Sequence, residues 1–178
     1  GTFMIAAIAS KGDIIIKNCI TKHLESIIAK IVEVGGNVDA NGDHLRVWYS
    51  KRTRKATIKT LPYPGFATDL QQPLTTLLTQ TGGLSRVKDT IYPERFKHCH
   101  ELSKMGAEIE VYKGESSITG PTPLYGATVT ATDLRCGASL VIAGLLAEGT
   151  TIIKDAYHIY RGYDNIKEKL KSLGADVE

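Results

Sequence analysis

The sequence predicts an α+β domain in which three copies of one β-α-β-α-β-β unit surround buried helices, and two recurring marks carry that prediction. Residues 12–18, 83–89 and 149–155 share the pattern Gly-x-x-x-hydrophobic-basic-Asn/Asp, with Lys17, Lys88 and Lys154 in register. The second mark is Gly35-Gly36-Asn37-Val38-Asp39, Gly106-Ala107-Glu108-Ile109-Glu110 and Gly174-Ala175-Asp176-Val177-Glu178, beginning 23, 23 and 25 residues after the first. A period of about 70 residues exceeds that of the common helical solenoids, and three copies are too few for an open array, so a closed pseudo-threefold domain is expected. The expected layout is one domain over residues 1–178, with units of approximately 1–60, 61–125 and 126–178.

In the first copy Leu24, Ile27, Ile28, Ile31 and Val32 fall on one helical face. Strands over 37–40 and 44–49 follow, joined through Asn41-Gly42, a hairpin signal. The middle copy predicts a helix over 73–80, a strand over 84–88, a helix over 96–105 and strands over 108–112 and 116–119. In the third, Leu134, Ala138, Val141, Ile142, Leu145 and Leu146 recur at helical spacing, and Gly149 stands where a left-handed residue ends a helix. A β-branched strand over 150–154 comes next, then a helix from Tyr163 with Ile166, Leu170 and Leu173 inward, and a short final strand. The first helix of each copy reads as apolar and small, which places it at the centre, with three sheets outside.

At 42% apolar and 23% charged residues, a chain of 178 residues buries a full core as an ordinary globular domain. A net charge of +3 and one basic run, 51–55, read as a solvated loop, so no nucleic-acid partner is expected. Three scattered cysteines make no disulfide framework, which fits a reducing, cytoplasmic setting. No stretch approaches the ~20 apolar residues of a membrane span, and no membrane partner is expected. Aligning copies sets Gly1 opposite Ala138 and leaves residues 132–137 without a first-copy counterpart, so a piece of a longer polypeptide is expected.

Two units open their central helix with the same tripeptide, Thr68-Asp69-Leu70 and Thr132-Asp133-Leu134. Thr and Asp there cap a helix, yet capping alone accepts Ser or Asn equally well, so both readings stand at Asp69 and Asp133. Arg95 and Arg161 occupy matching places before the second helix of their units, and Arg135 follows Asp133. A guanidinium suits phosphate and carboxylate because its planar fork donates paired hydrogen bonds and stays charged. Threefold symmetry gathers these loops at one end of the central helices, around one mouth. Lys97-His98-Cys99-His100 lacks a second ligand cluster, so no metal is expected, and Cys99 falls on the apolar side of its helix.

Several of these residues stand in motifs: Tyr63-Pro64-Gly65-Phe66-Ala67-Thr68-Asp69-Leu70-Gln71, Glu94-Arg95-Phe96, Ala131-Thr132-Asp133-Leu134-Arg135, Ala147-Glu148-Gly149-Thr150-Thr151 and Arg161-Gly162-Tyr163. Together, and in this order, they resemble the enolpyruvyl transferase family, in particular its UDP-N-acetylglucosamine 1-carboxyvinyltransferases of peptidoglycan synthesis. The resemblance implies an inside-out α/β barrel domain that works with a second domain and needs no cofactor. The substrates it implies are UDP-N-acetylglucosamine and phosphoenolpyruvate. It further implies that Asp69 binds the sugar 3-hydroxyl as base, Ile91 touches the nucleotide sugar, and Asp133 stabilises developing positive charge. Arg95, Arg135 and Arg161 would form the anion site. The family's reactive cysteine is not matched by Cys19, Cys99 or Cys136, and the 178 residues alone are not expected to catalyse transfer. A shikimate 3-phosphate transferase and a non-catalytic anion-binding module are the alternatives.

Overall fold

The computed structural model describes residues 1–178. Its first unit comprises α1 (Thr2–Ala9), β1 (Asp13–Ile16), α2 (Glu25–Glu33), β2 (Asn37–Asn41) and β3 (His44–Trp48). The middle unit runs through β4 (Thr57–Lys59), α3 (Gln71–Leu78), β5 (Gly83–Lys88), α4 (Lys97–Lys104), β6 (Glu108–Tyr112) and β7 (Glu115–Gly120). The last contains β8 (Thr128–Thr130), α5 (Leu134–Leu146), β9 (Ile152–Lys154), α6 (Tyr157–Tyr160) and α7 (Ile166–Ser172).

The sheets are ordered β1-β3-β2, β4-β5-β7-β6 and β8-β9. In the middle sheet β4 runs parallel to β5, while β5, β7 and β6 are antiparallel neighbours. The β8-β9 pair is likewise parallel and reproduces β4-β5, and β1-β3-β2 reproduces β5-β7-β6. The β-α-β-α-β-β order is therefore complete in the middle unit, whereas the first unit has no opening strand. The second mark owes its recurrence to backbone geometry: Gly35, Gly106 and Gly174 each hold φ between 94° and 101°, a left-handed conformation that ends the preceding helix.

Helices α1, α3 and α5 pack on one another at the centre. The main apolar cluster joins Met4, Ile5 and Ile8 of α1 to Leu74, Leu77 and Leu78 of α3 and Ile142 of α5. Helix α3 departs from the apolar expectation, since Gln71, Gln72, Thr75 and Thr76 are all buried. Threonine is tolerated because its hydroxyl is satisfied: Thr75 Oγ1 donates to Gln71 O, and Thr76 Oγ1 bonds Ser139 of α5.

Four expectations are corrected. Asn41 pairs with His44, so the hairpin turn is Gly42-Asp43 rather than Asn41-Gly42. Val32 is 53% exposed, because the buried stripe of α2 is the narrower Ile27, Ile31 and Val34. Residues 157–160 form their own short helix, which delays the final helix to Ile166. Residues 175–178 form no strand, and Leu173 is 54% exposed, whereas its counterparts Val34 and Met105 are fully buried.

Close backbone approach requires glycine at position 126, as it does at 120. Gly126 donates its N–H to Glu148 O at 2.7 Å, and a Cβ there would overlap the backbone O, N and C of Thr150. Gly126→Ala is expected to cost about 1–3 kcal/mol, the usual penalty of overpacking. Urea denaturation checks this; an unchanged midpoint would contradict the close approach.

Candidate active site

Three chain segments meet at one end of the central helices: the 3-10 turn Thr68–Leu70 before α3, the loop 89–96 between β5 and α4, and the start of α5. Asp69 is bridged by two arginines from the other segments. Its Oδ1 accepts from Arg135 Nε at 2.8 Å and its Oδ2 from Arg135 Nη2 at 2.6 Å, a bidentate pair. Arg95 Nη1 lies 3.4 Å from Oδ1. The hydrogen bond and charge of Arg135 hold the Asp69 carboxyl below the ordinary carboxylate range, with Arg95 adding to the effect. Arg95 itself stacks its guanidinium 4.0 Å from the Tyr92 ring centroid and donates to Thr68 Oγ1 at 3.3 Å.

The two Thr-Asp-Leu motifs do different work. Asp133 is a true N-cap: its Oδ1 accepts from the N–H groups of Arg135 and Cys136 at 2.8 and 3.1 Å. Asp69 caps nothing, and its lone pairs go to arginine instead. Capping by Asp133 fixes the first turn of α5 and therefore the stem from which Arg135 reaches Asp69. A cleft of about 300 Å³ is lined by Gln72, Tyr92, Glu94, Arg95, Lys97, Thr132 and Asp133. Gln72 is 1% exposed and its Oε1 lacks a hydrogen-bond partner.

Of the sequence-predicted residues, Asp69, Arg95 and Arg135 are in direct contact, and Asp133 and Arg95 share the cleft. Ile91 lies half-buried in the loop that carries Arg95. Arg161 is exposed at the end of α6 and makes no hydrogen bond or ion pair; its neighbour Gly162 packs against Leu134, which sets it beside the start of α5. A larger depression of about 440 Å³, lined by Glu33, Lys55, Ala56, Thr57, Leu84 and Arg86, contains none of these residues.

His98 and Cys99 are core residues. Burial lowers His98 to about 3, leaving the ring neutral, and raises the Cys99 thiol to about 12. Burial also raises Cys136, so neither buried thiol is a ready nucleophile. Asp89 and Gln72 were not singled out from sequence. Asp89 is 2% exposed, and its hydroxyl partners Thr60 and Thr68 lie 29 and 21 residues earlier, beyond the reach of any local pattern.

The family described as EPSP synthase (3-phosphoshikimate 1-carboxyvinyltransferase) matches residues 1–170. The chain is 54% identical over 177 residues to UDP-N-acetylglucosamine 1-carboxyvinyltransferase 2 of Staphylococcus aureus (strain MRSA252). It is 53% identical to the protein of that name from Listeria innocua. Both alignments cover 99% of this chain but only 42% of the relative, so the chain spans under half the length of these curated relatives. The enolpyruvyl transferase NikO from Streptomyces tendae superposes with a TM-score of 0.91 at 25% identity, over 99% of this chain and 42% of that one. EPSP synthase from Acinetobacter baumannii, at 16% identity and a TM-score of 0.75 over the same shares, agrees in fold.

Proposed function

The chain belongs to the EPSP synthase (3-phosphoshikimate 1-carboxyvinyltransferase) family, and we propose that it forms the Asp69 face of a UDP-N-acetylglucosamine 1-carboxyvinyltransferase. The observation that carries this reading is the Asp69 carboxylate gripped by Arg135 and Arg95 at the edge of a polar cleft. The identity of 54% to a transferase of that name supports the choice of acceptor.

In the proposed reaction the sugar 3-hydroxyl oxygen bonds to C2 of phosphoenolpyruvate while a proton adds to C3, giving a tetrahedral intermediate. Loss of a C3 proton and cleavage of the C2–O bond to phosphate then yield the enolpyruvyl ether and inorganic phosphate, which would serve peptidoglycan precursor synthesis. Asp69 takes the hydroxyl proton in this scheme, Ile91 touches the nucleotide sugar, and Asp133 faces the positive charge that develops at C2. Arg95, Arg135 and Arg161 hold the phosphate and carboxylate of phosphoenolpyruvate.

An anion that binds Arg135 and Arg95 competes directly with Asp69 for the same donors. Phosphoenolpyruvate binding would therefore release the aspartate, raise its pKa toward the ordinary value and make it a better base.

The family description itself favours one other reading, shikimate 3-phosphate as acceptor. Phosphate release by the full-length transferase, assayed with phosphoenolpyruvate and each acceptor in turn, separates them. Release with UDP-N-acetylglucosamine alone is expected. Release only with shikimate 3-phosphate would overturn the acceptor, and release with neither would overturn the transferase.

A further inference from the structure

We propose that Asp89 is a positioning residue that fixes Arg95 through the hydroxyl of Thr68 and the backbone of Tyr92. Its structural part stands on geometry, and its kinetic part rests on the transferase reading. Asp89 is 2% exposed and forms no ion pair. All its partners are neutral donors. Oδ1 accepts from Thr60 Oγ1 at 2.8 Å, from Ile91 N at 2.9 Å and from Tyr92 N at 2.8 Å, and Oδ2 accepts from Thr68 Oγ1 at 2.7 Å. Burial alone would raise this carboxyl; the four hydrogen bonds outweigh it and hold the group ionised.

The charge has a directional consequence. A hydroxyl has one proton, and Thr68 gives it to Asp89, so a lone pair of Thr68 Oγ1 is left for Arg95 Nη1, 3.3 Å away. The second contact of Arg95 is the ring of Tyr92, whose N–H is tied to the same carboxylate. Apart from Asp69, both neighbours that hold the guanidinium are thus held in turn by Asp89.

A buried carboxylate without a cation is costly, and for stability alone an amide of the same shape would serve. Asn at this position keeps an oxygen for Ile91 and Tyr92 but presents NH2 to Thr68. The hydroxyl must then accept, and its proton turns toward Arg95, reversing the polarity of the contact. Asp89→Asn therefore strikes Arg95 while leaving the Ile91 loop in place.

Two measurements test this. In the 178-residue chain, side-chain 15N NMR of Arg95 during titration with inorganic phosphate is expected to show altered Arg95 resonances and about tenfold weaker phosphate binding in Asp89→Asn. Thr68→Val, a milder change, is expected to do the same, and the double variant to lose little more. In the full-length transferase, Asp89→Asn is expected to raise KM for phosphoenolpyruvate about tenfold with KM for the sugar nucleotide within about twofold. Unchanged Arg95 resonances with unchanged phosphate affinity overturn the proposal, as does a parallel rise of both KM values, which marks a purely structural role. If the wild-type protein shows no transfer, the transferase reading fails, and the Arg95 resonances still decide the role of Asp89.

Discussion

Asp69→Asn in the full-length transferase is expected to lower kcat by about 10²–10⁴-fold, the span ordinarily carried by a general base, while the sugar nucleotide still binds. Asn preserves shape and can accept from Arg135 through its oxygen, so the orientation of Arg135 survives in part. It cannot take a proton. The loss therefore falls on turnover, which phosphate release measures, and calorimetric titration measures the retained binding. A non-catalytic anion-binding module has no turnover to lose. An unchanged kcat would remove Asp69 from the role of base.

Arg135→Ala is the second large effect, because one side chain serves two ends. It removes a bidentate donor from the proposed anion site, which is expected to lower kcat/KM for phosphoenolpyruvate by about 10²–10³-fold. It also removes the largest cause of the lowered Asp69 pKa. With Arg135 present, the carboxylate stays charged below its unfolded value of about 3.9. Its contribution to stability is present above that value and is lost as pH falls through the depressed folded-state value. The pair is more than one-third exposed on each side, so that contribution is small. Without Arg135 the Asp69 pKa rises, and the acid limb of the pH–rate profile of kcat/KM moves to higher pH. Arg135→Lys is not expected to rescue, since an ammonium cannot reproduce the two parallel hydrogen bonds. An acid limb that stays in place would show that Asp69 does not control it.

Much of the fold was legible because each unit repeats the same physical requirements. Gly35, Gly106 and Gly174 share one left-handed conformation, and the sequence shows them as one recurring mark. The errors lie where tertiary context overrides pattern. Leu173 continues a helical stripe yet is 54% exposed, whereas its counterparts Val34 and Met105 belong to the buried apolar clusters. The polar side chains of α3 gave no apolar stripe, although the Thr76 hydroxyl finds Ser139 on α5 and that of Thr75 bonds back to Gln71 O. The convergence of Asp69, Arg95 and Arg135 followed from symmetry. The division of labour between the two aspartates did not, since Thr-Asp-Leu reads identically in both copies, yet Asp69 lies inside a 3-10 turn and turns to Arg135 while Asp133 is extended at the N-cap of α5. Asp89 closes the first recurring mark, but its role stayed hidden because its hydroxyl partners Thr60 and Thr68 are distant in sequence.

The outer rim of β1 has a further physical consequence. This strand bonds β3 on one side and no strand on the other, and it carries Ile14, Ile15 and Ile16 in succession, with Ile15 57% exposed. Unsatisfied amides beside a β-branched run form a template for adding another chain's backbone. Asp13 and Lys17 flank the run with charge, and Arg46 holds the first of them through its bidentate bond to Asp13. In the middle and last units the equivalent edges of β5 and β9 are covered by β4 and β8, so the direction of a strand that docks on β1 is already set by its two counterparts: parallel.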